Sequence, residues 1–335
     1  MNILFIGPLK SSFVKNDIEI LSEKHSLRKY DTSIGRGLKG MINLIKITLQ
    51  TFFEVFRNDA VFCWFADYTT LVPVITAKLL GKKSYVIAGG FDILNVPEID
   101  SGAITRRGRW FCVRKTFKYT DLIFPVSQFA GNSLHELTNG DHANYTVIYN
   151  GVKTDKFINY NSKCIKRKYI TTVSQADTYV DYHMKGSDRF IRIASKMPHL
   201  DFLLLGLRGS AYDLAIEAAK GINNIEIIKG PLDLYSEIIP YYYRSYSYAQ
   251  LSIAESFCMA VVESMACGCI PVVNNGGALP EVAGDAGYVT NNDDEIIIAI
   301  NKSIHATNGQ REKAISQSKK FDISIKRKIL LEKVI

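Results

Sequence analysis

Two carboxylates, Glu255 and Glu263, stand eight positions apart in a segment of otherwise apolar and small residues, Ser252 to Val273. The segment reads as strand, tight loop, helix, stop and strand. Gly268 is the expected helix end, because glycine tolerates the left-handed conformation that closes a helix. Glu263 then falls inside the helix, among Val261, Val262, Met265 and Ala266. A glutamate on a helix is more often a solvated surface residue, and an ionised one buried here is costly unless donors satisfy it. Sugar hydroxyls are such donors. The loop at Ser256-Phe257-Cys258 would turn backbone N–H groups toward whatever lies beyond the strand, which suits a phosphate. One segment could therefore hold both ends of a sugar nucleotide.

Other loops that follow expected strands carry further candidates. His183-Met184-Lys185-Gly186-Ser187-Asp188 precedes a helix that stops before Pro198, with Ser187 as its expected N-cap. Lys185 at that entrance could neutralise a diphosphate, a solvated surface lysine being the plainer alternative. In Leu205-Gly206-Leu207-Arg208-Gly209 the glycines permit close backbone approach, and Arg208 offers a planar fork to phosphate. In Gly89-Gly90-Phe91-Asp92, Asp92 either accepts a hydrogen bond from an incoming hydroxyl or makes a turn. Gly276-Gly277 forms a turn after the next strand, and Glu281 either borders the same site or caps the short helix behind Pro280. Neither a Gly-x-Gly-x-x-Gly fingerprint nor a Gly-x-x-x-x-Gly-Lys-Ser/Thr loop occurs. That argues against a nicotinamide or flavin enzyme and against a phosphate-loop ATPase.

Positioning these loops requires strands. Short apolar runs at Ile3–Ile6, Ala60–Trp64, Ser84–Ile87, Leu122–Val126 and Tyr145–Ile148 alternate with helical patterns. A second series follows at Tyr169–Val173, Asp201–Leu205, Ile225–Ile228, Tyr248–Leu251, Ile270–Val273 and Gly287–Thr290. Continuous apolar strands between helices indicate parallel sheets covered on both faces. Two such series in 335 residues indicate two domains, with a boundary expected in the aperiodic segment Asp155–Lys168. Ligands of such sheets bind outside the carboxyl ends of the strands, so the site is expected between the two domains.

The formal charge of +8 favours an anionic partner without choosing among nucleotide, acidic glycan, membrane or nucleic acid. Ile104–Lys118 interleaves basic residues with aromatics and holds no acid. Such a segment suits an anionic membrane, single-stranded nucleic acid or a solvated basic helix face. Met41–Phe56 falls short of the ~20 residues that span a bilayer and reads as an amphipathic or core helix. The N-terminus reads as a first buried strand rather than a signal peptide. Cys63, Cys112, Cys164, Cys258, Cys267 and Cys269 form no zinc-ribbon pattern and are expected as reduced thiols of a cytosolic protein. Asp293-Asp294 reads as a surface turn.

Together these residues resemble retaining glycosyltransferase family 4, most strongly from Tyr145 to Thr290. The resemblance is carried by Ile148-Tyr149-Asn150-Gly151-Val152, Lys185-Gly186 and the Glu255-to-Glu263 element with Met265-Ala266-Cys267-Gly268 and Pro271. Gly276-Gly277 with Pro280-Glu281 completes it. It implies an α/β chain of the GT-B fold: two facing Rossmann-like, doubly wound domains with an interdomain cleft. Residues 1–155 would bind acceptor and 166–320 the nucleotide sugar, while 321–335 cross back to the first domain.

By the same resemblance Glu263 would bond the donor ribose, Glu255 would face the donor sugar, and Lys185 would hold the diphosphate. Backbone N–H groups near Phe257, Cys258 and Met259 would complete the clasp, and Gly230-Pro231-Leu232 would border the base. Gly7, Gly90 and Asp92 are the acceptor-side candidates. The sequence departs from the family in three places. Thr171–Gln175 lacks the usual arginine, for which Arg208 is the substitute on offer. Cys258 stands where the family has glycine, and the loop after the first strand is reduced to Gly7–Ser12.

The implied activity is metal-independent transfer of a hexose-type sugar from a nucleoside-diphosphate donor, with retention, and no cofactor. The acceptor would be a hydroxyl of a glycan or lipid-linked carrier in cell-surface polysaccharide synthesis. The expected setting is the cytoplasm, peripheral to the inner membrane face, with no nucleic acid as partner. The rivals are an epimerase or glycan phosphorylase on the same fold, and a non-catalytic partner subunit.

Overall fold

The computed structural model describes residues 1–35, 37–159 and 166–335. Cys164 and part of the expected boundary segment Asp155–Lys168 lie outside the described residues. The chain divides into two compact units, Met1–Gly151 with Ile323–Ile335, and Val152–Asp322. The strands are β1 (Asn2–Gly7), β2 (Ser26–Asp31), β3 (Ala60–Trp64), β4 (Lys83–Ala88), β5 (Asn95–Val96), β6 (Ser101–Gly102) and β7 (Leu122–Pro125) in the first unit. The second holds β8 (Tyr169–Val173), β9 (Asp201–Leu207), β10 (Ile225–Lys229), β11 (Ser245–Gln250), β12 (Ile270–Asn274) and β13 (Tyr288–Thr290).

Helices alternate with them. The first unit has α1 (Ser12–Ser22), α2 (Gly37–Arg57), α3 (Tyr68–Leu79), α4 (Arg107–Tyr119) and α5 (Gln128–Thr138). The second has α6 (Thr154–Ile158), α7 (Tyr179–Met184), α8 (Ser187–Lys196), α9 (Gly209–Ala218), α10 (Ile239–Tyr243), α11 (Met259–Ala266), α12 (Leu279–Ala283), α13 (Asp293–Ile304) and α14 (Asn308–Lys319). The last, α15 (Ile323–Lys333), belongs to the first unit.

Both main sheets are parallel. The first runs β2-β1-β3-β4-β7 and the second β10-β9-β8-β11-β12-β13. Order reverses between β1 and β3 in one, and between β8 and β11 in the other. These are the points where ligands of open α/β sheets bind. The first core stacks Phe5, Phe62, Tyr85 and Phe124 across neighbouring strands. The second packs Ile170, Phe202, Leu204, Ala249 and Val272 against Phe190, Ile193 and Ile296 of the helices.

One expected strand needs correction, and two further elements differ from a plain strand–helix alternation. Tyr145–Ile148 is not a strand and pairs with β7 only through the Ile123–Tyr145 bridge. Thr146 and Ile148 donate to the Ile123 and Pro125 carbonyls, but Pro125 has no N–H to continue the ladder. The edge strand β2 was not expected, because its half-exposed sequence SLRKYD carries no apolar run. Leu234–Tyr243 is not one regular helix: a π-turn at Leu234–Ile238 is followed by α10, which starts at Ile239 with Pro240 in its first turn.

The chain's last helix is fastened to the first unit by a buried ion pair. Lys326 Nζ lies 2.6 Å from Asp17 Oδ1, with both side chains at most 2% exposed. The Trp64 indole donates to the other Asp17 oxygen at 2.9 Å, and the Lys326 ammonium also sits over the Trp64 ring. Burial pushes the Asp17 pKa upward, against the pull of Lys326. Arg327 pairs with Glu23, and the Tyr85 hydroxyl donates to the Ile335 carbonyl. Lys326→Ala should cost about 3–5 kcal/mol by leaving a buried charge unpaired, and Asp17→Asn with Lys326→Met should recover most of it. Both tryptophans, Trp64 and Trp110, lie in the first unit, so denaturant unfolding followed by tryptophan fluorescence reads this effect directly.

Candidate active site

The second unit gathers its chemistry at its own point of strand reversal. Tyr248, Gln250 and Ser252 occupy alternate positions at the end of β11 and share one face. Their side chains form a directed chain of hydrogen bonds. The Tyr248 hydroxyl donates to Gln250 Oε1 at 2.6 Å, and Gln250 Nε2 donates to Ser252 Oγ at 2.6 Å. Ser252 Oγ then donates to Glu255 Oε1 at 2.9 Å. Lys185 Nζ donates to the same Glu255 oxygen at 2.8 Å. Burial opposes the Lys185 charge, but the adjacent Glu255 carboxylate more than offsets it, so the lysine pKa stands above its ordinary value.

Two glycines let these loops close on one another. Lys185 ends α7, and Gly186 follows with φ +68°; a Cβ there would sit 2.1 Å from the Leu251 carbonyl oxygen. Gly277 has φ +67°, and a Cβ there would sit 2.3 Å from the Glu255 carbonyl oxygen. That carbonyl accepts from Ala278 N–H at 2.8 Å. The glycine turn therefore braces Glu255 from behind. Ser187 is not the N-cap expected of it: Gly186 takes that place, and the buried Ser187 hydroxyl bonds Ser174 at 2.9 Å.

Cys258 precedes α11 with φ +81°. L-residues rarely adopt that conformation, which explains why glycine suits this position better. Its thiol is pushed up, first by burial and then by Glu255, and it lies within electrostatic reach of Glu255, Lys185 and Glu263. α11 begins at Met259 and stops as expected at Gly268, where φ is +74°. Glu263 lies in the helix at 7% exposure. Burial raises its pKa from the ordinary 4.5 to about 7. The Tyr242 hydroxyl is close enough to lower it in part, yet that hydroxyl makes no hydrogen bond of normal geometry. The carboxyl is thus expensive to ionise until a donor arrives.

Arg208 is not free to meet a phosphate. It holds Asp177 with two bonds, of 2.6 and 2.9 Å. Arg208 also lines a cavity of about 200 Å³ together with Val173, Gln175, Gly206, Pro231 and Leu232. Gly230 packs against the Gly206 carbonyl at its edge. Asp293 is more than a surface turn: it opens α13 and binds Arg189, Arg192 and Lys196, with Arg192 foremost in holding its carboxyl well below the usual range.

In the first unit, Gly7 and Gly90 lie at strand ends against Trp64 and Phe65. Asp92 does not face outward. It is 1% exposed and accepts from the N–H groups of Ala66, Gly89 and Gly90. Burial raises its pKa to about 7 despite these bonds. Asp92 therefore builds its loop. Beside it, Arg109 binds Asp67 through two bonds and stacks over Phe91 at 4.3 Å.

Sequence reasoning missed Tyr248, Gln250, Tyr242, the bond from Ser252 to Glu255 and the Asp177 clamp on Arg208. The alternation Tyr248-x-Gln250-x-Ser252, with apolar Ala249 and Leu251 between, was the signal available for the first group.

Glu263 has a folded-state pKa above its unfolded one, so its contribution is most favourable below pH 4.5 and is lost as pH rises through about 7. Without ligand, Glu263→Gln should match the native protein near pH 4 and exceed it by up to about 3 kcal/mol at pH 8. Unfolding midpoints across that range measure the gap. At Cys258, valine should lower stability by about 2 kcal/mol while glycine is neutral or stabilising, as thermal melts would report.

Comparison with known proteins agrees with the fold. Residues 166–321 match the family model described as glycosyl transferases group 1. Among solved structures, a glycosyltransferase from Rickettsia africae ESF-5 aligns with TM-score 0.70 at 18% identity, over 99% of this chain and 97% of that one. Anabaena Alr3699/HepE, solved in complex with UDP, aligns with TM-score 0.73 at 15% identity, over 100% and 99%. An E. coli trehalose-6-phosphate structure bound with UDP-2-fluoro glucose gives 0.74 at 10%, over 99% and 98%. Curated protein sequences give no match. The chain has the two-domain α/β GT-B fold, and its residues 166–321 match glycosyl transferases group 1.

Proposed function

We propose that the protein transfers a sugar from a nucleoside-diphosphate donor to a hydroxyl of a glycan or lipid-linked acceptor, with retention of configuration. The observation that carries this reading is the Lys185–Glu255 pair at the β8/β11 reversal, in the unit that matches glycosyl transferases group 1. Glu263 takes the ribose hydroxyls, which supply the donors its buried carboxylate lacks. The N–H groups opening α11 near Phe257, Cys258 and Met259 face the phosphates. The cavity beside Gly206 and Pro231 takes the base.

Lys185 stabilises charge on the departing diphosphate, and Glu255 meets the sugar hydroxyls. The bond from the anomeric carbon to the phosphate oxygen breaks. The acceptor oxygen bonds that carbon from the same side, and its proton passes to the leaving phosphate. Arg208 contributes only on leaving Asp177, so the diphosphate charge falls chiefly to Lys185. The first unit, with the loops at Gly7, Gly90 and Asp92, is assigned the acceptor. The setting we assign is cell-surface polysaccharide synthesis in the cytoplasm, with no metal and no cofactor required.

Lys185→Ala should lower kcat by about 100-fold or more. Glu263→Ala should abolish measurable transfer while circular dichroism stays native. Transfer assays with a panel of nucleoside-diphosphate sugars test both, and undiminished turnover in either variant would contradict the assignment.

A further inference from the structure

The first unit carries an amphipathic helix whose apolar side faces out. α2 buries Gly40, Thr51, Glu54 and Val55. Leu38, Met41, Ile45, Leu49, Phe53 and Phe56 are each 52–68% exposed. At 100° per residue these six fall within an arc of about 120°, opposite the buried positions. The stripe runs the whole helix, about 30 Å at 1.5 Å per residue. So large and continuous an apolar surface marks an interaction site rather than scattered surface residues.

Charge identifies the occupant. Lys39, Lys46 and Arg57 are exposed and share one flank of the stripe. The helix has a single acid, Glu54, which is buried and paired with Arg28 and Arg57. α2 thus presents apolar groups and positive charge together, with no exposed carboxylate. Among the described residues no helix is long and apolar enough to cross a membrane. Ile104–Lys118, where the sequence put basic and aromatic groups together, is more committed internally. Arg109 is bound to Asp67, Arg114 and Lys118 to Asp141, and Phe117 is buried.

We infer that α2 lies in the headgroup region of an anionic lipid bilayer, its apolar stripe inserted and its cations at the phosphates. This goes beyond the transferase reading and does not depend on it. An interfacial helix needs buried apolar area and attraction to anionic lipid, and α2 offers both.

Flotation of the full chain with vesicles of phosphatidylglycerol and phosphatidylcholine, and with phosphatidylcholine alone, tests the inference. Anionic vesicles should bind the protein at least about tenfold more strongly than neutral ones, with binding falling as salt rises. Replacing Ile45, Leu49 and Phe53 by serine should reduce binding at least about tenfold, and Lys39→Glu with Lys46→Glu should do so independently. Both variants change exposed side chains and should keep the native melting temperature. Their shift in melting temperature with nucleoside diphosphates should also be unchanged, which separates this result from the fate of the transferase reading. Equal binding to both vesicle types, unchanged binding by either variant, or a solution dimer that the serine variant dissolves would overturn the inference.

Discussion

A single ion pair organises the second unit. Lys185 reaches Glu255 from the end of α7, and Glu255 comes from the loop after β11, 70 residues away in sequence. Holding them 2.8 Å apart requires two loops to pack with almost no space between their main chains. Gly186 and Gly277 make that possible by lacking a Cβ. The row Tyr248–Gln250–Ser252 then passes donors in one direction to Glu255. The carboxylate is oriented before any ligand arrives, which is the kind of preorganisation that lets fixed charges act without rearranging during a reaction.

Against that satisfied pair stands Glu263, buried without comparable partners. The two acids stand eight residues apart, one in the loop after β11 and one in α11, in different surroundings. Glu255 is ion-paired, whereas Glu263 is held toward its neutral form by burial. Proteins tend to violate local rules where function requires it. Three such departures lie around the start and body of α11: Cys258 in a left-handed conformation, Tyr242 without a normal hydrogen bond, and Glu263 under-solvated.

Much of the fold was readable because parallel strands are buried on both faces and leave continuous apolar runs, as at Ala60–Trp64 and Tyr169–Val173. β2 escaped because it is a half-exposed edge strand, and Tyr145–Ile148 misled because one proline stops its ladder. Of the site, Lys185, Glu255 and Glu263 were marked by residue type and by their places after strands or in a helix. Arg208 and Asp92 were marked too, but sequence does not show which partner a charged group will take. Asp177 and three main-chain N–H groups answer that in the folded chain. The outward stripe of α2 was invisible for a related reason: periodicity shows that a helix has an apolar side, and only packing shows which way it turns.

The central claim is that Lys185 and Glu263 hold the two ends of one nucleoside diphosphate. Calorimetric titration of UDP, GDP, ADP, CDP and dTDP into the native protein, Lys185→Met and Glu263→Gln addresses it most directly. The account predicts that at least one diphosphate binds the native protein with one-to-one stoichiometry and that each substitution weakens it by about tenfold or more, as loss of a charged hydrogen bond implies. Native-like affinity in both variants, or no binding of any diphosphate to the native protein, would contradict it.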